Sequence, residues 1–157
     1  LLQCNNYNKS ACPCLEAHVD KQRLIEQLRL HEGVEHKPYV DTVGKTTIGV
    51  GRNLDDVGLT DDEIDYLLDN DIHTVMSELD IWWGGWRELD EVRQRVLADM
   101  MFNMGRPTLN KFENFHAALV DGNYEQASVE MLDSRWAEQV GQRAQRLAGM
   151  MATGEDE

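Results

Sequence analysis

The sequence predicts an α+β protein with a mostly helical main lobe and a small β-hairpin lobe, joined by a long helix. Apolar residues recur at helical spacing through most of the second half of the chain. One stretch rich in Val, Thr and Ile is interrupted by Val43-Gly44, a pattern typical of a hairpin. A length of 157 residues suits one compact domain or two small lobes that share a helix.

The first predicted helix has a clear start and a clear end. Asp20 can cap its first turn, and Gly33 can end it in a left-handed conformation. Glu32 is therefore its last residue. The apolar residues that share one face are Leu24, Ile25 and Leu28.

The hairpin is predicted in the segment "KPYVDTVGKTTIGVG", directly after this helix. Asp41 lies on its first strand and Thr47 on its second. Gly49 and Gly51 allow close approach of another part of the chain to the backbone.

The joining helix is predicted over about residues 61–79. Thr60 and Glu63 form a capping box, in which the Thr side chain accepts from the first turn and the Glu reaches back. The apolar stripe that follows comprises Ile64, Leu67, Leu68, Ile72, Val75 and Leu79.

Helical patterns alternate with breaks beyond the joining helix. Trp82, Trp83 and Trp86 either close a core or form platforms for sugar stacking, and core packing is the favoured interpretation. Asp90 can cap the next helix, which "GRP" ends. Its predicted buried face comprises Val92, Val96, Leu97, Met100, Met101 and Met104. Further helices are predicted from Phe112, over residues 124–132 and in "SRWAEQVGQRAQRLAGMM".

These elements give a predicted domain organisation. An irregular tail takes residues 1–16, and one domain takes residues 17–157. Within that domain, the hairpin lobe covers about residues 33–59 and the helical lobe about residues 86–150. The tail holds the three cysteines, which suggest either a small disulfide or an irregular segment: Cys4, Cys12 and Cys14.

Charge and hydropathy argue against two classes of partner. The net charge is −14, and no Lys or Arg lies between Asn53 and Trp86, whereas nucleic-acid binding needs a basic face. No apolar run approaches the roughly 20 residues of a membrane span, and no secretory signal is visible. We therefore expect no nucleic acid and no membrane-spanning segment, and we interpret the acidic run as a solvated helix face.

A metal site is a poor interpretation of the segment "HEGVEH". His31 and His36 are five residues apart instead of the four that place two ligands on one helix face. Gly33 also ends the helix between them. We expect neither a metal nor a cofactor.

A carboxylate site fits the same region better. Glu32 lies at the C-terminal end of a helix, where the dipole disfavours a negative charge and so favours the protonated carboxyl of a general acid. Asp41 and Thr47 lie across the hairpin turn from each other and could hold a water, as in an inverting glycosidase. Capping and turn roles for these residues also fit, and spacing alone leaves both interpretations open.

The segment "LRLHEGVEHKPYVDTVGKTTIGVGRNL" resembles the phage-type lysozymes, the endolysin class of the T-even phages (glycoside hydrolase family 24). Glu32 begins the E-G pair, Asp41 follows nine residues later in a D-T pair, and Thr47 begins T-I-G-x-G six residues further on. The segments "MMFNMGRPTLNKF" and "DSRWAEQVGQRAQRL" are similar to two further family segments. The resemblance covers about residues 20–150 and implies a lysozyme-like fold.

The resemblance also implies catalytic roles. Glu32 would be the general acid that protonates the leaving glycosidic oxygen. Asp41 would position the attacking water and stabilise positive charge on the sugar, and Thr47 would hold that water on the far face.

Supporting roles are implied for five more residues. Arg143 matches the Arg that pairs with the catalytic Glu, while Phe102 and Asn103 match a segment that lines the substrate. An Arg52–Asp71 bridge is implied between the hairpin and the long helix. The family's longer β region is trimmed here, so the smaller lobe is expected to be a bare hairpin.

The implied activity is that of a peptidoglycan-hydrolysing muramidase, an endolysin that cleaves the β-1,4 bond between N-acetylmuramic acid and N-acetylglucosamine with inversion. The alternatives are a lytic transglycosylase on the same fold and a non-catalytic glycan-binding module. The expected partner is bacterial peptidoglycan, and the protein is expected to be a monomer. It would be made in the host cytoplasm and would act on the cell wall in the periplasm. The sequence leaves the route of export open.

Overall fold

The structure, a computed structural model, describes residues 19–156. The predicted tail with its three cysteines lies outside the described residues. The chain divides into two compact units, Leu1–Thr60 and Asp61–Glu157. The predicted α+β fold class is confirmed, because helices dominate the described residues and one small antiparallel sheet accompanies them.

The first unit begins with helix α1, Lys21–Glu32, whose bounds confirm the predicted start and end. Asp20 caps the helix, since its Oδ1 accepts from the backbone N–H of Arg23 at 3.1 Å. Helix α1 buries none of its residues. The three residues of its predicted apolar face are between 38 % and 43 % exposed: Leu24, Ile25 and Leu28.

A three-stranded antiparallel sheet completes the first unit, in the order β1-β2-β3. Its strands are β1 Glu35–Val40, β2 Thr46–Gly49 and β3 Arg52–Asn53. The expectation of a bare hairpin was therefore wrong. Gly49 and Gly51 have φ of 68° and 73°, and they turn the chain back so that β3 pairs with β2. The register of β1 is irregular between Glu35 and Tyr39, around Pro38, which has no N–H to donate.

The second unit is helical. Its helices are α2 Asp61–Trp82, α3 Glu91–Met104, α4 Arg106–Leu109, α5 Glu113–Val120, α6 Tyr124–Leu132, α7 Arg135–Val140 and α8 Gln142–Thr153, with a 3₁₀ turn at Gly84–Glu88. The last predicted helical stretch is broken in two at Gly141, whose φ is 57°. No described helix is long and apolar enough to cross a membrane.

The core of the second unit draws on most of these helices. Its largest fully buried side chains are Trp86, Phe115, Leu79, Leu97, Met100, Leu109, Met131, Met151 and Val96. The core interpretation of the tryptophans is confirmed, because Trp86 is 2 % exposed and Trp82 and Trp83 pack against the core. Trp82 also stacks on Phe115, with ring centroids 6.5 Å apart.

The apolar stripe of α2 is only partly buried. Val75 and Leu79 belong to the core. The residues nearer its start are between 41 % and 50 % exposed: Ile64, Leu67, Leu68 and Ile72. Helical periodicity predicts which residues share a face, but it does not say what covers that face.

Candidate functional site

Asp41 lies in the turn that follows β1, not on the strand as predicted. The reason is local, because its side chain accepts from the turn's own backbone. Asp41 Oδ1 accepts from the N–H of Val43 at 2.9 Å and from that of Lys45 at 2.8 Å. The backbone N–H of Asp41 donates in return to the Lys45 carbonyl at 2.9 Å. The turn thus fixes the direction of the carboxylate.

These donors keep the Asp41 side chain ionised. The pKa of Asp41 is lowered chiefly by the N–H of Lys45, with further contributions from Val43, the Thr47 hydroxyl and Gly44 that outweigh the opposite effect of burial. Oδ1 is occupied by two backbone donors, so Oδ2 is the oxygen left for chemistry.

Thr47, on β2, supplies a hydroxyl beside that oxygen. Its Oγ1 lies 3.3 Å from Asp41 Oδ2 and 3.3 Å from the Lys45 carbonyl, and its side chain is buried. A hydroxyl has one proton to donate and two lone pairs. When Thr47 donates to Asp41, its lone pairs can accept from a water that also donates to Asp41 Oδ2. The pair can therefore hold a water whose own lone pair is free to attack.

Glu32 ends α1 in the same unit. Its side chain is exposed, and its carboxyl lies beside Gly51 in the turn between β2 and β3. Glu32, Asp41 and Thr47 thus come from a helix end, a turn and a strand of one compact unit. An exposed carboxyl on one element and an ordered carboxylate–hydroxyl pair on another are the groups that acid-catalysed hydrolysis needs.

Arg52 begins β3, and its Nε donates to the carbonyl of Gly58 at 3.0 Å. This bond ties β3 to the end of the first unit. Asp71 belongs to α2 in the second unit. The implied Arg52–Asp71 bridge joins two units and stays a prediction.

Arg143, on α8, is held by a residue that sequence reasoning missed. Its Nε and Nη2 donate to Asp99 Oδ1 on α3, at 3.0 and 2.8 Å. Asp99 and Asn103 are four residues apart, so they lie on the same side of α3. Two polar residues at that spacing in the mostly apolar second half of α3 were the available signal. The implied pairing of Arg143 with Glu32 joins two units and stays a prediction.

Phe102 and Asn103 are neighbours on α3 but line different hollows of the second unit. Phe102 is half exposed and lines a hollow of about 450 Å³ that Asp71 also lines. Asn103 lines a hollow of about 730 Å³. The two implied substrate contacts therefore belong to separate surfaces.

The orientation of the Asn103 amide follows from its partner. Trp136 Nε1 donates to Asn103 Oδ1 at 2.8 Å, and an indole nitrogen can only donate. The amide oxygen must therefore face the indole. The amide nitrogen is left to donate to a ligand in the larger hollow, which Lys111 and Arg135 also line.

Residues 31–36, for which the sequence argued against a metal site, lie in the first unit. Within residues 19–156, no group of three or more His, Cys, Asp or Glu side chains is arranged to hold a metal ion. His31 and His36 belong to different elements, α1 and β1.

Comparison with known proteins gives a family match. The family model described as phage lysozyme matches residues 29–157. The pre-baseplate central spike protein Gp5 of Enterobacteria phage T4 is 26 % identical over 83 % of this chain, which spans only 28 % of that protein. Two probable T4-type lysozymes of Dictyostelium discoideum are 24 % and 23 % identical over 83 % and 82 % of the chain, and over 94 % and 93 % of their own lengths.

Proposed function

Because the chain belongs to the phage lysozyme family, we propose that it is a peptidoglycan-hydrolysing muramidase. It cleaves the β-1,4 bond between N-acetylmuramic acid and N-acetylglucosamine with inversion. The observation that carries this proposal is the contact between Asp41 Oδ2 and Thr47 Oγ1, in the same unit as Glu32.

The proposed mechanism uses each of the three residues once. Protonated Glu32 gives its proton to the glycosidic oxygen as the C–O bond breaks. A water held by Asp41 and Thr47 attacks the anomeric carbon from the opposite face of the ring, and its proton passes to Asp41. The ionised Asp41 also stabilises the positive charge that develops on the sugar. Glu32 loses the proton that the leaving sugar hydroxyl gains, and Asp41 gains the proton that the attacking water loses. The configuration at the anomeric carbon is inverted.

A lytic transglycosylase is the nearest alternative, since it would act on the same substrate. Its reaction uses a hydroxyl of the sugar itself as the nucleophile, so it needs no group that holds a water. The buried hydroxyl of Thr47 beside Asp41 supports hydrolysis. A non-catalytic module would need Asp41 only to hold its turn through Oδ1, and would not need the Thr47 hydroxyl beside Oδ2.

Supporting roles are proposed for residues of the second unit. Asn103 donates its amide N–H to a substrate acceptor, and Phe102 offers its exposed ring to a sugar. Arg143, oriented by Asp99, is proposed as a supporting residue for the same reaction. The proposed substrate is peptidoglycan in the periplasm of a bacterial host. We propose that the protein acts as a monomer and lyses that host.

Product analysis of digested, purified Gram-negative cell walls tests this proposal. Nuclear magnetic resonance of the first products should show the α anomer of a reducing muramic acid, because inversion at a β bond gives α. Products with 1,6-anhydro ends would instead indicate a transglycosylase. Binding to the walls without any product would indicate a glycan-binding module.

A further inference from the structure

Gly51 makes a close approach to the side chain of Glu32. A Cβ built on Gly51 would lie 3.4 Å from Glu32 Oε2, and 3.8 Å from both Cδ and Cγ of the same side chain. A side chain at this point of the turn between β2 and β3 would therefore contact the Glu32 carboxyl. A hydrogen on the Gly51 Cα leaves Oε2 open at this place, whereas a methyl group would cover it.

The other described glycines of the first unit do not share this feature. A Cβ on Gly33, Gly44 or Gly49 would meet nothing within 4 Å, and one on Gly58 would meet only the Leu54 carbonyl at 4.0 Å. The approach to Glu32 is therefore a property of Gly51 and not of glycine turns in this sheet generally.

Backbone conformation does not explain the difference between Gly51 and Gly49. Gly51 has φ of 73° and Gly49 has φ of 68°, both in the region that L side chains rarely adopt. Alanine at either position should strain the backbone to a similar degree. The two residues differ in what a side chain would touch, so each is a control for the other.

We propose that Gly51 is a positioning residue for Glu32, a role that rests on the proposed function of Glu32 as general acid. The bare Cα leaves Oε2 accessible to water and to the glycosidic oxygen at the place where any side chain would contact it. Glycine is thus required at this position for two reasons: the turn needs a positive φ, and Glu32 Oε2 needs the space that a side chain would take.

A methyl group at this position would fit, because 3.4 Å is an ordinary contact distance. Its effect would be chemical more than steric. It would displace water from Oε2, and removal of water disfavours the charged form of a carboxyl. It would also restrict the path by which Oε2 reaches the glycosidic oxygen, and small errors in placement cost rate steeply.

The test compares Gly51→Ala with Gly49→Ala. Thermal unfolding should show a similar loss of stability in the two variants. Cell-wall hydrolysis should show kcat lower by about tenfold in Gly51→Ala than in Gly49→Ala. The descending alkaline limb of kcat against pH should move to higher pH in Gly51→Ala alone, because the carboxyl keeps its proton to higher pH. Identical kcat and identical pH profiles in the two variants would overturn the proposal.

A second readout does not depend on activity. The side-chain carboxyl carbon of Glu32 can be followed by nuclear magnetic resonance as pH is changed. Glu32 should titrate at higher pH in Gly51→Ala than in Gly49→Ala, and coincident titrations would overturn the proposal. Inactivity of the wild type would contradict the proposed function, while this titration would still decide the role of Gly51.

The asparagine pair covers the case in which an alanine variant does not fold. Asn tolerates positive φ better than other residues with a side chain, so Gly51→Asn and Gly49→Asn should fold. The kcat of Gly51→Asn should again be lower than that of Gly49→Asn, because only the side chain at position 51 contacts Glu32 Oε2, and equal kcat values would overturn the proposal.

Discussion

The Thr47 hydroxyl lies 3.3 Å from Asp41 Oδ2, inside the sheet, with only 3 % of Thr47 exposed. A buried hydroxyl beside this ionised carboxylate can orient a water that binds to Asp41 Oδ2. Thr47→Val removes the hydroxyl and keeps the shape of the side chain. We expect kcat for cell-wall hydrolysis to fall by about a hundredfold, because the water is no longer positioned.

Thr47→Ser is the matched control for this change. It keeps the hydroxyl and loses a methyl group, so it should retain much more activity than Thr47→Val even if both variants lose some stability. Equal activity of the two variants would mean that the hydroxyl does not position the nucleophile.

The depressed pKa of Asp41 predicts how stability depends on pH. Its folded-state pKa lies below its value in the unfolded chain, chiefly because the Lys45 N–H donates to the carboxylate. Ionised Asp41 therefore stabilises the fold above the unfolded value, and that stabilisation is lost as pH falls through the folded value. Asp41→Asn cannot titrate. Thermal melts should show wild type more stable than Asp41→Asn above about pH 5, with the gap closing below about pH 4.

A gap that stays constant down to low pH would contradict this account. It would show that the variant loses a packing or geometric contribution and not the ionised form of Asp41.

Local rules explain how much of the first unit could be predicted from the sequence. Asp20 and Gly33 mark the two ends of α1, because a capping side chain and a glycine with positive φ both act within one turn of the chain. The turn that places the Asp41 carboxylate beside the Thr47 hydroxyl is also local. The strand after Gly51 was missed, because two residues are too short to show a strand pattern.

Arg93 fastens the end of α8 to α3. Its Nε donates to the Met151 carbonyl at 2.7 Å and its Nη2 to the Ala152 carbonyl at 2.9 Å, while its guanidinium lies 3.9 Å from the Tyr124 ring. Arg93→Met leaves these helix-end carbonyls without their cation. We expect a loss of about 2–4 kcal/mol in the free energy of unfolding, measured by urea denaturation.

Arg95→Met is the control for Arg93→Met. Arg95 pairs with Glu91 and Asp156 at the surface, with 46 % of its side chain exposed. Exposed pairs contribute little, so its loss should lower the free energy of unfolding much less than Arg93→Met does. Equal costs for the two variants would contradict the role given to Arg93.

The Trp136–Asn103 hydrogen bond makes a prediction about substrate binding. Asn103→Asp keeps an acceptor for Trp136 Nε1 but removes the outward amide donor. Stability should therefore change little, while KM for cell walls rises about tenfold, the effect of one lost hydrogen bond of about 1.4 kcal/mol.

Gln139→Glu is the matched control, because Gln139 lines the same hollow and the change adds the same charge. It should raise KM less than Asn103→Asp does. An equal rise in both variants would assign the effect to charge alone.

Distance along the chain explains what could not be predicted. Asp99 and Arg143 are 44 residues apart, and Asn103 and Trp136 are 33 residues apart. Such pairs depend on how helices pack, which periodicity does not specify. The exposure of Ile72 on α2 could not be predicted for the same reason. The sequence shows that a helix has an apolar face, but not which element packs against that face. The single Gly141 in a helical pattern gave no sign that the chain breaks there.

The most direct test of the account is the rate at which Glu32→Gln lowers the turbidity of purified Gram-negative cell walls. Glu35→Gln is the control, since Glu35 is an exposed carboxyl on β1 of the same unit. Loss of the general acid should reduce the rate by at least about a hundredfold, with Glu35→Gln close to wild type. A Glu32→Gln variant that keeps the wild-type rate would contradict the assignment of Glu32 as the catalytic acid.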